Sequence, residues 1–274
     1  MNTQGPDDAT MMTLLEHGTD DQKERFLTPL LNGEKRICYS MTEKAAGADA
    51  TGMQTSAVLD GDEWVLNGEK WFSSSASVAD IAVVMAKTDP DAPRHEQYST
   101  FIVELPNPGY QILRNIETMQ PHTELGLKLG GSHSEINIEN LRVPRENLLG
   151  GRGQGFNMGQ HRLAYGRLRH GMHNVAMAQR ALDLAAEHVS QRQTFGKRLA
   201  DRQGVRWMLA DCASEIYKAR LVLLHIAYKA EKGMDIRNEN GIAKVFLANM
   251  VHQVVDTAIQ LHGALGYSHD TPLA

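Results

Sequence analysis

Near the glycine-rich segment GGRGQG, residues 150–155, the hydrophobic period of this chain lengthens from about two to between three and four. A period of two puts alternate side chains on one face of a sheet, and a period near 3.6 puts them on one face of a helix. One chain therefore has to build a β-rich part and then a helical part. The short period holds from about Arg36 to Leu149. Thr55, Ala57 and Leu59 alternate with polar neighbours, Asp60-Gly61-Asp62 turns the chain, and Trp64 and Leu66 resume. Asn67-Gly68 gives the strongest short hairpin signal, because both residues tolerate the positive φ of a type I′ turn. Apolar runs at 81–86 (IAVVMA) and 101–105 (FIVEL) predict buried strands, and SEINIENLRV at 134–143 alternates again.

Beyond Gly155, Met172, Val175, Ala178, Leu182, Ala185 and Val189 recur at helical spacing. So do Val205, Met208, Cys212, Ile216, Ala219, Leu223, Ile226 and Ala230. A third helical stretch runs from Gly241 to His262, with Gly263 as its cap. A shorter helical pattern precedes the strands, from about Ala9 to Leu31, with a capped start at Thr19 or Asp20 and an end at Gly33. The expected class is α+β. Residues 1–33 form a helical remnant, 34–149 an antiparallel β-barrel, and 150–274 an α-helical bundle. Short connections favour antiparallel packing, and a bundle of four would need one helix more, so this one reads as incomplete.

The balance of residues narrows the function. A formal charge of −5 argues against a dedicated nucleic-acid binder, whose surface would be basic. No apolar run approaches the roughly 20 residues that span a bilayer. The N-terminus, MNTQGPDDATMM, resembles neither a signal peptide nor an Arg-rich transit peptide. Cys38 and Cys212 lie in unrelated segments and make no metal-spaced cluster; they read as reduced, mostly buried thiols of a cytoplasmic protein.

Several segments carry chemistry that has to be weighed against plainer roles. GGRGQG invites a dinucleotide reading, but that fingerprint needs a parallel βαβ unit, and a helical bundle follows instead. A flexible hinge suits the context better. Among twelve histidines, His170 and His173 stand one turn apart and His252 and His262 share another helix, without an HExxH pattern or a carboxylate partner, so no metal is expected. HRLAYGRLRH, residues 161–170, gathers Arg162, Arg167 and Arg169 near a helix start, where a solvated face and an anion-binding role are evenly matched and Arg167 favours the latter.

Three polar motifs remain: YSMTE (39–43) followed by Gly47-Ala48-Asp49, then RQTFG (192–196) with Gln203, then QLHGALG (260–266). Taken alone, RQTFG is a helix end with a core Phe. In this order, over roughly Leu14 to the end, the three resemble the acyl-CoA dehydrogenase family, flavoenzymes that desaturate acyl thioesters between Cα and Cβ. The resemblance implies a helical region, a β-barrel and a four-helix bundle, with FAD between barrel and bundle. It implies that Tyr39, Met41, Thr42, Gly47 and Ala48 line flavin or thioester, with the Thr42 hydroxyl on the ring's pyrimidine edge. Phe72, Ser73 and Ser74, from the strand after the hairpin, would cover the ring, with Ser74 at its N5 edge. Arg192, Phe195, Arg202, Gln203, Gln260 and Gly263 would hold the pyrophosphate and adenosine of a neighbouring subunit's FAD. Ala164, Tyr165, Gly166 and Arg167 match the stretch that contacts acyl-CoA, as Ala48 also does. An electron-transfer flavoprotein as acceptor and a homodimer or homotetramer complete what the resemblance implies.

The departures are as informative. Desaturation needs a carboxylate to take the α-proton. Most family members supply it after the last bundle helix, and a minority just before the helix Arg, where this chain has Gly166. Glu43 belongs to the flavin turn and Asp270 to a tail, so no catalytic residue is assigned. The expectation is a chain shortened at both ends and lacking its base. Ala48 replaces the family's usual Ser, and Lys44 its usual Pro. The alternatives are a non-catalytic flavin- or CoA-binding remnant, or a flavin oxidase on the same fold.

Overall fold

Helix α1, Asp7–His17, is followed by Thr19, whose hydroxyl accepts from the Gln22 amide while the Gln22 side chain accepts from the Thr19 amide. This reciprocal box starts helix α2, Asp20–Gln22, at the predicted residue. The helical path continues through a π-helical turn, Lys23–Leu27, into α3, Thr28–Asn32, and Gly33 ends it at φ 75°. The computed structural model describes residues 7–119 and 123–273. They fall into two compact units, one ending at Leu163 and the other beginning at Ala164.

In the first unit the strands are β1 Ile37–Ser40, β2 Ser56–Asp60, β3 Glu63–Ser74, β4 Ile81–Lys87, β5 Tyr98–Glu104 and β6 Tyr110–Asn115. After a short helix α4, Glu124–Lys128, come β7 His133–Pro144 and β8 Leu148–Leu149. They form one eight-stranded sheet in the order β6-β7-β3-β2-β4-β5-β8, with β1 on β4. Most pairings are antiparallel, as expected, while β1 and β2 both meet β4 in parallel. The intervening loop and hairpin return the chain so that β4 runs alongside β1. Among the described residues the end strands β6 and β8 are not paired with each other, so the sheet curls around its core without a closed ladder.

The continuous apolar runs have a clear cause. Ile81, Val83 and Met85 of β4 pack with Leu14, Phe26 and Leu30 of the N-terminal helices. Ala82, Val84 and Ala86 face the opposite way, into a second core with Trp64, Leu66, Phe101, Ile136 and Leu141. A strand buried on both faces has no polar face to alternate.

Asn67-Gly68 is not a hairpin turn. β3 passes straight through it, and the β3–β7 register shifts between Leu66 and Gly68, marking a bulge. Gly68 is required by a close approach, since a Cβ there would stand 2.6 Å from Thr55 Cα. The true β2–β3 turn is Gly61-Asp62, between paired Asp60 and Glu63. Nor is GGRGQG a free hinge. The Gly153 amide donates to Ser99 Oγ at 2.9 Å, and a Cβ on Gly155 would lie 2.8 Å from the Ser99 carbonyl carbon. These glycines let the chain lie tightly against β5.

Helix α5, Gly155–Gln191, starts in the first unit and continues into the second. A tight hairpin follows, β9 Gln193–Thr194 and β10 Lys197–Arg198, then helices α6, Gln203–Glu231, and α7, Arg237–His262. The core of this unit takes Val175, Ala178, Ala181 and Ala185 from α5, Cys212, Ile216 and Ala219 from α6, and Ala243, Leu247 and Val254 from α7. So many alanines permit close helix spacing. At Gly171 a Cβ would meet Leu247 Cδ1 at 2.7 Å and Leu223 Cδ2 at 2.8 Å. Both cysteines are buried and neither is in a disulfide. No helix among the described residues is long and apolar enough to cross a membrane.

Candidate functional site

The end of β1 organises the site. Strand alternation turns Ser40 into the sheet interior, where its hydroxyl meets Ser73 Oγ at 2.9 Å and Tyr110 Oη at 2.8 Å. Burial pushes the Tyr110 phenol well above its ordinary value, so it remains a neutral hydrogen-bonding group. The next residues leave the strand. The Thr42 carbonyl accepts from the Trp71 amide at 2.7 Å, stitching the YSMTE turn to β3.

Beneath that turn lies a buried ion pair. Lys70 Nζ, with no solvent exposure, donates to Glu43 Oε1 at 2.9 Å and to the Met41 carbonyl at 3.0 Å. Glu43 also accepts from the Gln54 amide at 2.6 Å and the Thr55 amide at 3.0 Å. Burial raises the Glu43 carboxyl, but the Lys70 charge and these hydrogen bonds reverse that and leave it below its ordinary value. Burial drives Lys70 down to about 8, against the pull of Glu43. Glu43 is thus a structural anchor, as its sequence context suggested. Lys44, at the family's proline position, pairs with Glu135, which Arg114 also holds at 2.8 Å. That pair ties the loop to β7.

Above this clamp is a recess of about 160 Å³ lined by Tyr39, Met41, Thr42, Phe72, Ser74, Gly159, Arg162 and Leu163. Phe72 stands at φ 56°, where the β3–β7 register breaks between Lys70 and Ser73, and keeps 40% of its surface exposed. A bulky residue in the left-handed region costs roughly 1–2 kcal/mol. Trp71 edge-on at 4.6 Å and His133 at 5.3 Å hold its ring. Ser74 Oγ lies 2.8 Å from His133 Nδ1. Gly159 leaves the floor open, since a Cβ would stand 2.9 Å from Met85 Cε. Among the described residues the Thr42 hydroxyl has no hydrogen-bond partner. Among the described residues no acid lines the recess.

Five predicted residues therefore converge: Tyr39, Met41, Thr42, Phe72 and Ser74. Ser73 does not. It is fully buried on the opposite side of β3, in the Ser40–Tyr110 network. Gly47 and Ala48 lie exposed on the loop beyond Glu43, outside the recess lining. Gly159, Arg162 and Leu163 went unassigned in the sequence. Arg162 lay in a singled-out run, but only its packing shows that it, rather than Arg167, enters this recess. Away from the recess, Glu16, His17 and His161 bring ligand-type atoms within 4.8 Å of one another, a grouping no sequence spacing revealed.

In the second unit, Ala164, Tyr165, Gly166 and Arg167 follow on α5. Tyr165 and Arg167 are exposed, a Cβ on Gly166 would meet nothing within 4 Å, and the Ala164 carbonyl accepts from Asn240 Nδ2 at 3.2 Å. Arg192 ends at the β9–β10 hairpin, whose turn is Phe195 at φ 51° and Gly196 at φ 76°. Phe195 is 97% exposed, which excludes the plain alternative of a core Phe and leaves its ring presented to solvent. Arg202 Nη2 donates to the Thr194 carbonyl at 2.7 Å, and its guanidinium lies 5.8 Å from the Phe195 ring. Gln203 opens α6. His188, one turn before Arg192, stacks at 4.2 Å on His262, which lies between Gln260 and Gly263 in the chain. RQTFG and QLHGALG are thereby joined.

The model of the acyl-CoA dehydrogenase middle domain matches residues 38–140, and that of the acyl-CoA dehydrogenase C-terminal domain matches 153–274. FadE2 of Mycobacterium tuberculosis, named as an acyl-CoA dehydrogenase, is 38% identical across this whole chain, which covers 67% of its length. The chain belongs to the acyl-CoA dehydrogenase family. Acyl-CoA dehydrogenase family member 11 of Gallus gallus is also 38% identical across the whole chain, which spans only 35% of that relative. Butyryl-CoA dehydrogenase of Megasphaera elsdenii superposes with a TM-score of 0.88 at 33% identity, covering 96% of this chain and 67% of that one.

Proposed function

We propose that this protein is an FAD-dependent acyl-CoA dehydrogenase that desaturates an acyl-CoA thioester between Cα and Cβ. The observation carrying this reading is the convergence of Tyr39, Met41, Thr42, Phe72 and Ser74 on one recess. Its volume is below the roughly 300–1,000 Å³ of pockets that enclose a whole ligand, so it suits one edge of a ring system. The residues fit a flavin edge. The uncommitted Thr42 hydroxyl can bond a ring heteroatom, the half-exposed face of Phe72 can stack, and Tyr39 and Met41 give an apolar floor. FAD, when bound, supplies the hydride acceptor of this reaction. The chain's own residues bind and orient it and exclude water.

Arg192, Phe195, Arg202, Gln203, Gln260 and Gly263 are assigned to the dinucleotide tail of FAD bound by a neighbouring copy, in a homodimer or homotetramer. The solvent-facing Phe195 and the exposed Trp207, Tyr217 and Tyr228 of α6 support that assembly. The substrate is assigned to Ala48 and to Ala164, Tyr165, Gly166 and Arg167. An electron-transfer flavoprotein is the proposed acceptor, and two cysteines outside any disulfide suit a cytoplasmic setting. Glu43 is committed to Lys70 and Asp270 is solvent-exposed, so neither is assigned as the base.

The test is FAD affinity by equilibrium dialysis. Thr42→Val keeps the shape and removes the hydroxyl, and a lost buried hydrogen bond costs about 1–3 kcal/mol. We expect weaker retention and a shifted flavin spectrum. Unchanged affinity and spectrum would remove Thr42 from the ring site.

A further inference from the structure

Glu16 and His17 end helix α1, and His161 stands on the second turn of α5. The fold brings one ligand-type atom from each to within 4.8 Å of the other two. The imidazoles of His17 and His161 stack, with centroids 6.3 Å apart and planes 24° from parallel. His17 Nε2 stands 3.8 Å from Glu16 Oε2, beyond hydrogen-bond reach. All three residues belong to the first compact unit, and none lines the recess assigned to the flavin edge.

A second observation points to a ligand here. His17 Nε2 is sealed from solvent and has no hydrogen-bond partner among the described residues. A buried polar atom left in that state is costly, and an ion is one of the few things that satisfies it. Glu16 and His161 are exposed, so the grouping opens to solvent on one side and water can complete a coordination shell.

Two imidazoles and one carboxylate are the donors that zinc and its first-row neighbours take. With bonds near 2.0–2.1 Å, neighbouring ligands of a tetrahedral zinc stand about 3.3 Å apart. The 3.8 Å between His17 and Glu16 is already close to that, and the exposed side chain of His161 can swing in. Magnesium prefers a near-octahedral shell of oxygens and does not suit this set. The plainer role is a solvent-facing imidazole stack with an ion pair to Glu16.

We propose that Glu16, His17 and His161 bind zinc or another late first-row divalent cation, with water as fourth ligand, and that the ion clips α1 to α5. His161 directly precedes Arg162, whose Nε donates to Thr10 Oγ1 of α1 at 3.1 Å and whose guanidinium carbon stands 4.2 Å from the centre of the Tyr39 ring. The ion is thus a further tie between the same two helices, beside the stretch of α5 that carries Gly159 and Arg162 into the recess.

The probe is Zn²⁺ alone, titrated calorimetrically into the untagged full chain after chelator treatment and desalting, with Mg²⁺ as the comparison. Zn²⁺ should bind saturably at one ion per chain, and Mg²⁺ should not compete. His17→Ala and His161→Ala should each weaken Zn²⁺ binding at least about tenfold, the lower end of what losing even an outer-shell partner costs. Glu16→Gln should weaken it as well. Zn²⁺ should also raise the unfolding temperature in step with its concentration, and that rise should vanish in His161→Ala. Because Glu16 and His161 are exposed, their variants keep the test decisive even if His17→Ala fails to fold. Absence of saturable Zn²⁺ binding by the wild type would overturn the proposal. So would equal binding by the wild type and His161→Ala, which would mark an adventitious ion only.

Discussion

Glu43 and Lys70 show how one buried pair can shape a site that it does not enter. Lys70 bonds the Met41 carbonyl, Glu43 bonds two amides of the next segment, and Thr42 is held between them. Because the Glu43 carboxyl is depressed in the folded protein, its contribution to stability is fully present above the ordinary value of 4.5 and is lost as pH falls through the lower, folded value. The unfolding temperature should therefore drop as pH falls below about 4.5, and Glu43→Gln should flatten that part of the profile. A Glu43→Gln profile parallel to that of the wild type would show that other carboxylates control acid stability. Glu43 was legible as structural because it sat inside a turn motif. Its partner was not, since Lys70 lies on a different strand and only packing joins them. Arg162 escaped for the same reason. Nothing in HRLAYGRLRH says which arginine turns toward Tyr39.

At the scale of elements, the two hydrophobic periods located most strands and all three long helices, because each depends on its own residues. The failures came where a local signal was recruited for a distant purpose. Asn67-Gly68 has hairpin chemistry, but Thr55 crosses at that point and needs a residue without Cβ, so β3 bulges instead of turning. The KWFSSS segment read as a uniform covering strand. Its bulge presents Phe72 and Ser74 and buries Ser73. Gly166 gives the cleanest test at this scale. It lies inside α5 with open space around a Cβ, so Gly166→Glu should be tolerated and can gain up to about 1 kcal/mol in helix propensity. It would also place a carboxylate at the position that a minority of the family uses for its base. FAD-loaded Gly166→Glu should then bleach on anaerobic addition of a saturated acyl-CoA faster than wild type, by about 10²–10⁴ if the base is otherwise missing. Equal bleaching by the wild type would place the base elsewhere, with Asp270 the first residue to examine.

For the whole molecule, the order of helical, sheet and bundle regions was readable because a change of period is a property of long stretches. How the sheet pairs was not readable, since the parallel β1–β4 and β2–β4 contacts follow from how the chain returns. In this reading the polypeptide holds a flavin where an acyl thioester can reach it. The direct measurement is the visible spectrum of the protein after loading with FAD and gel filtration, followed by anaerobic titration with acyl-CoA. We expect a yellow protein whose flavin bands shift as the thioester binds, whether or not turnover follows. A protein that emerges colourless, or whose bound flavin is indifferent to every acyl-CoA, would contradict it.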